Sequence, residues 1–340
     1  MKNQIAIAGA GSWGTALAVH LAHKGYNVFL WTRDKEHFKE LTVAKENVKY
    51  LPGVKLNDTI SVSNNIEEAV SGASIVILSV PSHAVRATVQ RLKSYLSIDT
   101  ILVNTAKGFE ENTLLRLSEV IKQETGQGCV VLSGPSHAEE VSRFLPTAVV
   151  AASQNRSMAE HVQEAFMSSN FRVYTNPDVC GVEIGGALKN IIAIATGIVD
   201  GLGYGDNTKA ALITRGLAEI SRLGAALKAD PLTFAGLTGI GDLIVTSCSM
   251  HSRNRRAGML LGQGLKLNIV LQKIGMVVEG VHATGAALGL ARQMNIEMPI
   301  AREVYQVLYK DKEPRQSVND LMGRQKTHEV EEIVHNLSNW

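Results

Sequence analysis

Gly9-Ala10-Gly11-Ser12-Trp13-Gly14 stands between a short apolar run, Asn3 to Ala8, and a helix-prone run, Thr15 to Ala22. Strand, G-x-G-x-x-G, then helix is the arrangement that binds a dinucleotide. Gly9 permits the tight turn, and Gly11 lets a pyrophosphate approach the backbone. Gly14 lets helix and strand pack closely. Free N–H groups at the helix start face the phosphates, where the helix dipole favours negative charge. A glycine-rich turn without a ligand is the plainer reading; the flanking strand and helix weigh against it.

The second probable strand tells which dinucleotide. An NAD site of this kind carries an acidic residue at that strand's end, bonding the ribose 2′-hydroxyl. Here the strand ends Trp31-Thr32-Arg33-Asp34, so an arginine precedes the displaced acid. A guanidinium at Arg33 matches a 2′-phosphate, which favours NADP(H) and leaves NAD(H) possible. Arg33 stacked on an adenine, with both cofactors accepted, is the alternative.

Four further segments put polar or flexible residues where chemistry would sit. Thr105-Ala106-Lys107-Gly108 and Ser133-Gly134-Pro135-Ser136-His137-Ala138-Glu139 each follow a probable strand. Strand C-terminal ends are where such sheets bind ligands, although either segment alone could be an ordinary turn. Gly185-Gly186-Ala187-Leu188-Lys189-Asn190 lies inside a long apolar helix. Two glycines there weaken a helix by roughly 1 kcal/mol each, so something must pack tightly on that face. Lys189 either snorkels to solvent or is held in a site; the paired glycines and Asn190 favour the site. Burial and nearby cations would depress its pKa and suit it to proton transfer. The last segment runs Gly239-Ile240-Gly241-Asp242-Leu243, then Ser252-Arg253-Asn254-Arg255-Arg256. Ser252 can cap the following helix. Cations in a first turn oppose the helix dipole, so Arg253 suggests a bound anion; a solvated basic turn is the bland alternative.

These residues need a scaffold. The chain has 340 residues, 45% of them hydrophobic and 19% charged, enough for two domains with real cores. A net charge of +2, with no basic stripe interleaved with aromatics, argues against nucleic acid as a partner. Cys129, Cys180 and Cys248 are far apart and read as buried small hydrophobes in a reducing compartment, with no metal site. The first strand begins almost at Met1, leaving no room for a signal peptide. The longest largely apolar run, Ile191 to Val199, is too short to span a bilayer. A cytoplasmic location without stable membrane insertion is expected.

Strands and helices alternate through the first half, with strands expected near 27–31, 74–80, 100–104, 129–133, 147–152 and 171–174. That alternation implies an α/β fold, a doubly wound, mainly parallel sheet of Rossmann type. From Asn176-Pro177-Asp178 onward the chain reads as helical, with Asp178 capping a long helix. Residues 1–177 are therefore expected to form the dinucleotide-binding domain and 178–340 an all-helical substrate domain. The last residues, Thr327 to Trp340, read as a polar helix or a frayed tail.

Together these segments resemble the bacterial-type sn-glycerol-3-phosphate dehydrogenases, nearly end to end. The resemblance rests on Gly9 to Ala18, Tyr50-Leu51-Pro52-Gly53, Lys107-Gly108, Ser133-Gly134-Pro135-Ser136, Gly185 to Asn190, Gly241-Asp242-Leu243 and Ser252-Arg253-Asn254. Thr238 stands where the family more often has alanine. The resemblance implies NAD(P)-dependent interconversion of dihydroxyacetone phosphate and glycerol 3-phosphate, supplying phospholipid synthesis. It implies Lys189 as proton donor and acceptor, with Lys107 and Asp242 beside it. It implies substrate contacts from Lys107, Gly134, Ser136, Asp242, Ser252, Arg253 and Asn254. Cofactor contacts are implied for Gly9, Gly11, Ser12, Trp13, Gly14, Arg33, Lys107, Ala138, Arg253, Val277 and Glu279. A homodimer is possible. A β-hydroxyacid dehydrogenase of related architecture, whose substrate anion is a carboxylate, is the first rival; a dinucleotide sensor without turnover is the second.

Overall fold

The computed structural model describes residues 4–326 and 328–329. Strands β1 (Gln4–Ala8), β2 (Asn27–Trp31), β3 (Ile60–Ser63), β4 (Ile75–Leu78), β5 (Ile101–Asn104), β6 (Cys129–Ser133), β7 (Thr147–Ala152) and β8 (Phe171–Asn176) form one sheet. Its order is β3-β2-β1-β4-β5-β6-β7-β8. All neighbours pair parallel except β6 and β7, which run antiparallel. Every residue of β4 and β6 is buried, as strands covered by helices on both faces must be. The edge strand β3 escapes the sequence reading: four residues, Ile60-Ser61-Val62-Ser63, are too few for alternation to stand out. The expected Ser74–Val80 strand ends at Leu78, because the chain must turn there to pass Gly9.

Strand order reverses around β1, between β2 and β4, which opens a crevice at the strands' C-terminal ends. Helix α1 (Ser12–His23) starts at that crevice, and α2 (Lys35–Ala44) follows β2. Gly9 has φ +122°, and a Cβ on it would lie 2.3 Å from the Ser79 carbonyl oxygen. A Cβ on Gly14 would lie 1.9 Å from the Gly9 carbonyl oxygen. Larger residues would push the helix off the strand.

Beyond β8 the described residues form helices only. The longest, α3 (Val179–Gly201), is capped by Asp178, whose Oδ1 accepts the Gly181 N–H at 2.9 Å. Every residue from Gly181 to Val199 is buried. With a mean hydropathy of 1.5 over its apolar window, α3 meets the length and composition of a membrane span, but that window lies wholly inside the fold. The apolar run Ile191 to Val199 understates this helix, because glycines and alanines continue its buried surface. A second stretch, Pro231–Cys248, passes the same test and is broken midway by a π-helical turn, Leu237–Gly241.

Around α3 lie α4 (Asp206–Ala226), α5 (Asp242–Cys248), α6 (Arg253–Gly262), α7 (Glu279–Gln293), α8 (Pro299–Tyr309) and α9 (Pro314–Met322). α3 and α6 touch backbone to backbone. A Cβ on Gly197 would lie 2.1 Å from the Arg255 carbonyl oxygen, and one on Gly201 2.2 Å from that of Met259. Reciprocally, a Cβ on Gly258 or Gly262 would strike the carbonyl of Ile194 or Ile198. Four glycines at matched four-residue spacing thus fix the start of α6 relative to α3. The cysteines depart from expectation: only Cys129 is buried, whereas Cys180 is half-buried and Cys248 exposed. The expected tail from Thr327 lies almost wholly outside the described residues.

Candidate active site

The start of α1 is prepared for an anion. Its cap, Gly11, is extended, offers no side chain to the first-turn N–H groups, and is followed by no acid in that turn. A Cβ on Gly11 would meet nothing within 4 Å, so the backbone there faces open space. Buried side chains hold the turn from behind. His37 Nε2 lies 3.1 Å from the Ala10 carbonyl, and Asn47 Nδ2 donates to the same oxygen at 2.9 Å. Ser12 Oγ donates to the Tyr50 carbonyl at 2.7 Å, and half-buried Trp13 stands beside it. These groups fit a dinucleotide pyrophosphate.

Arg33 is exposed just past β2. The neighbouring acid is committed elsewhere. Asp34 Oδ1 accepts the N–H groups of Glu36 and His37 at 2.9 and 3.2 Å, capping α2. The His37 and Glu36 N–H donors hold its carboxyl below the usual range. The acid at the strand end thus has one oxygen turned to the helix it caps, with exposed Arg33 immediately before it.

Lys189 lies on α3, buried to 5% exposure. Its Nζ donates to Asp242 Oδ1 and, at 2.6 Å, to Thr246 Oγ1. Lys107 Nζ donates to the other carboxylate oxygen, Asp242 Oδ2, at 2.6 Å, and to the Gly134 carbonyl at 3.0 Å. One carboxylate thus joins the loop after β5, the loop after β6, α3 and α5. Burial lowers the Lys189 pKa most, Asp242 opposes it, and the Lys107 charge lowers it again, leaving it at about 7. Burial alone would raise Asp242; the two ammonium groups outweigh it and hold the carboxyl below its ordinary value.

The two helix glycines explain how these groups meet. A Cβ on Gly185 would lie 2.5 Å from the Thr238 carbonyl oxygen, in the π-helical turn that leads into Asp242. A Cβ on Gly186 would lie 2.9 Å from Ser133 Oγ and 3.6 Å from the Lys107 stem. Gly185 makes room for the π-helical turn, and Gly186 for Ser133 and the Lys107 stem.

Ser252 Oγ caps α6, accepting the Arg255 N–H at 3.2 Å. Of the arginines at that helix start, Arg255 is spent on Asp200, Nε to Oδ2 at 2.7 Å. Arg253 makes no hydrogen bond among the described residues; burial lowers its pKa most, and Glu279 and Glu139 oppose that. A half-buried guanidinium with unused donors is a place for an anion. Asn254 Nδ2 donates to Asn190 Oδ1 at 2.9 Å, and its Oδ1 accepts the Gly280 N–H at 2.9 Å. The side chain thus braces α3, α6 and α7 together. Asn190, which in the sequence favours a site at Lys189, serves here as Asn254's acceptor.

The remaining expected residues are spread around this cluster. Gly134 has φ +139° and lies 3.0 Å, measured from a would-be Cβ, from the Val149 Cα, so it fits where a side chain would not. Ser136 Oγ turns back to the Gly134 carbonyl at 3.0 Å. Ala138 is buried at the start of a one-turn helix, and Val277 is half-buried ahead of α7. Glu279 spends its carboxylate on Ser82, accepting N–H at 3.1 Å and Oγ at 2.6 Å. It clamps the turn after β4 to α7. Thr246, Ser82, His37 and Asn47 had not been singled out. Glu183, buried on α3, had not either. It accepts Arg116 Nη1 at 2.9 Å and the Ser118 N–H at 2.8 Å, pinning α3 to the sheet lobe.

A dinucleotide cradle at a topological switch point, with a lysine–carboxylate–lysine cluster at the sheet's C-terminal end, defines a nicotinamide-dinucleotide-dependent dehydrogenase. Comparison with known proteins narrows the class. Residues 4–159 match the family profile described as NAD-dependent glycerol-3-phosphate dehydrogenase N-terminus, and residues 178–319 match that of its C-terminus. The chain belongs to this family. It is similar to the glycerol-3-phosphate dehydrogenase [NAD(P)+] of Moorella thermoacetica, 61% identical over 97% of this chain and 99% of that one. The protein of the same name from Pelotomaculum thermopropionicum is 55% identical over 98% and 97%. The crystal structure of Coxiella burnetii glycerol-3-phosphate dehydrogenase superposes with a TM-score of 0.93, at 41% identity, covering 95% of this chain and 99% of that one.

Proposed function

We propose that this protein interconverts dihydroxyacetone phosphate and sn-glycerol 3-phosphate with NAD(P)(H), feeding glycerophospholipid synthesis in the cytoplasm. The observation that carries the reading is Asp242 shared between buried Lys189 and Lys107. Bound NAD(P)H supplies the hydride. Lys189 protonates the C2 oxygen during reduction and takes the proton back during oxidation; a pKa near 7 allows both. Lys107 stabilises the developing alkoxide. Asp242 has each oxygen taken by an ammonium, so it positions the two lysines. Arg253, whose donors are unspent although Glu279 and Glu139 lie near it, is the cation left to meet the substrate's phosphate. Arg253, with Ser252 and Asn254 at the start of α6, holds that phosphate away from the reacting carbon. Gly134 and Ser136 line the substrate from the β6 loop. Gly9, Gly11, Ser12, Trp13, Gly14, Ala138, Val277 and Glu279 border the dinucleotide, and Arg33 selects NADP(H) over NAD(H).

On this reading residues 1–177 carry the cofactor and 178–340 the substrate, and the working particle is a homodimer. Sedimentation or light scattering reports the assembly directly. The function is tested by following NADPH and NADH absorbance on adding dihydroxyacetone phosphate. Rapid loss of absorbance is expected. Loss with short hydroxy- or ketoacids instead would favour the hydroxyacid dehydrogenase reading, and cofactor binding without loss would favour the sensor.

A further inference from the structure

A cavity of about 550 Å³ lies among α3, α4, α8 and α9, apart from the catalytic cluster. Ile198, Leu212, Ile300, Val304, Val307 and Leu321 make its wall apolar. Ser317 also lines it and is buried, and its Oγ has no hydrogen-bond partner among the described residues. Glu219 lines it too, but its carboxylate is committed to the start of α8. It accepts the N–H groups of Ile300 and Ala301 at 2.7 and 3.3 Å. An apolar wall of this extent left against water is unfavourable.

The chain itself arrives at this cavity. Arg215, in the wall, donates from Nη1 to the Glu329 carbonyl at 2.8 Å. The residues that follow are Val330-Glu331-Glu332-Ile333-Val334-His335-Asn336-Leu337-Ser338-Asn339-Trp340. Val330, Ile333, Val334 and Leu337 recur at i, i+3, i+4 and i+7, and Trp340 continues the series. Every residue between them is polar. We infer that Val330 to Trp340 is the cavity's occupant, its apolar series seated against the wall formed by α3, α4, α8 and α9. The cavity is then a docking groove for the protein's own segment.

The test compares the full chain with one ended after Glu329, using a dye that fluoresces on apolar surface, thermal melting and size-exclusion chromatography. Shortening should raise dye fluorescence several-fold and lower the melting midpoint by several degrees. A synthetic peptide of residues 328–340 should reverse both, saturably, and a scrambled peptide should not. In the full chain, Leu337→Asp should raise dye fluorescence without unfolding the protein, which keeps the idea testable if the shortened chain folds poorly. Equal dye binding and melting in the two chains would overturn the inference. So would a shortened chain that passes from dimer to monomer and ignores the peptide, because a second copy would then be the cover.

Discussion

Two helix starts, those of α1 and α6, are both fitted to an anion and are built differently. At α1 there is no capping side chain and no charge, only Gly11 backbone facing open space. At α6 a serine caps the helix, and a half-buried arginine supplies a full charge with unused donors. A pyrophosphate spreads its charge over many oxygens and is well served by several N–H groups at close approach. A terminal phosphate is compact and doubly charged, and backbone dipoles alone do not balance it. On the proposed reading, the α1 start takes the cofactor's pyrophosphate and the α6 start takes the substrate's phosphate.

That contrast can be broken from the middle or from either end. The largest effect is expected from the middle. Lys189→Ala should lower turnover by about 10²–10⁴-fold, the usual worth of a general acid–base group, while cofactor titration by fluorescence shows NADPH binding retained. Near-normal turnover would remove the proton role. Next comes the α6 end. Arg253→Ala should raise the KM for dihydroxyacetone phosphate by about 100-fold, as loss of charge-assisted bonds predicts. Any turnover of dihydroxyacetone, which lacks the phosphate, should change little. An unchanged KM for the phosphorylated substrate would contradict the proposed division. At the other end, Arg33→Ala should raise the KM for NADPH by about tenfold and leave that for NADH nearly unchanged. Equal loss with both cofactors would assign Arg33 to the adenine instead.

The sequence revealed the chemistry more readily than its supports. Gly9, Gly11 and Gly14 carry their meaning in spacing: only glycine tolerates the carbonyl contacts at Gly9 and Gly14, and Gly11 leaves its backbone facing open space. Gly185-Gly186 announced a close approach, and the approach proved double, one glycine for the π-helical turn and one for Ser133 and Lys107. Gly197, Gly201, Gly258 and Gly262 carried an equally plain signal of helix-to-helix contact that went unread, since each pair lay in a different part of the chain. Thr246, which accepts from Lys189, was beyond local reading, and so was the partner of Asn190, which accepts from Asn254. Their partners are 57 and 64 residues away, and nothing in one stretch of sequence specifies the other. The same holds for His37 and Asn47 behind the glycine turn, and for Glu279, whose two bonds to Ser82 cross 197 residues. Polar groups that brace a site resemble ordinary loop residues until the fold brings them together.

On the proposed mechanism one buried ammonium, Lys189, with its pKa at about 7 beside Asp242 and Lys107, carries the proton in both directions. The pH dependence of kcat, measured for reduction and for oxidation in the same buffers, tests it most directly. Reduction needs Lys189 protonated, so its rate should fall as pH rises through about 7; oxidation needs the free amine, so its rate should rise over the same range. Profiles that are flat across that range, or that move in the same direction for both reactions, would contradict the account.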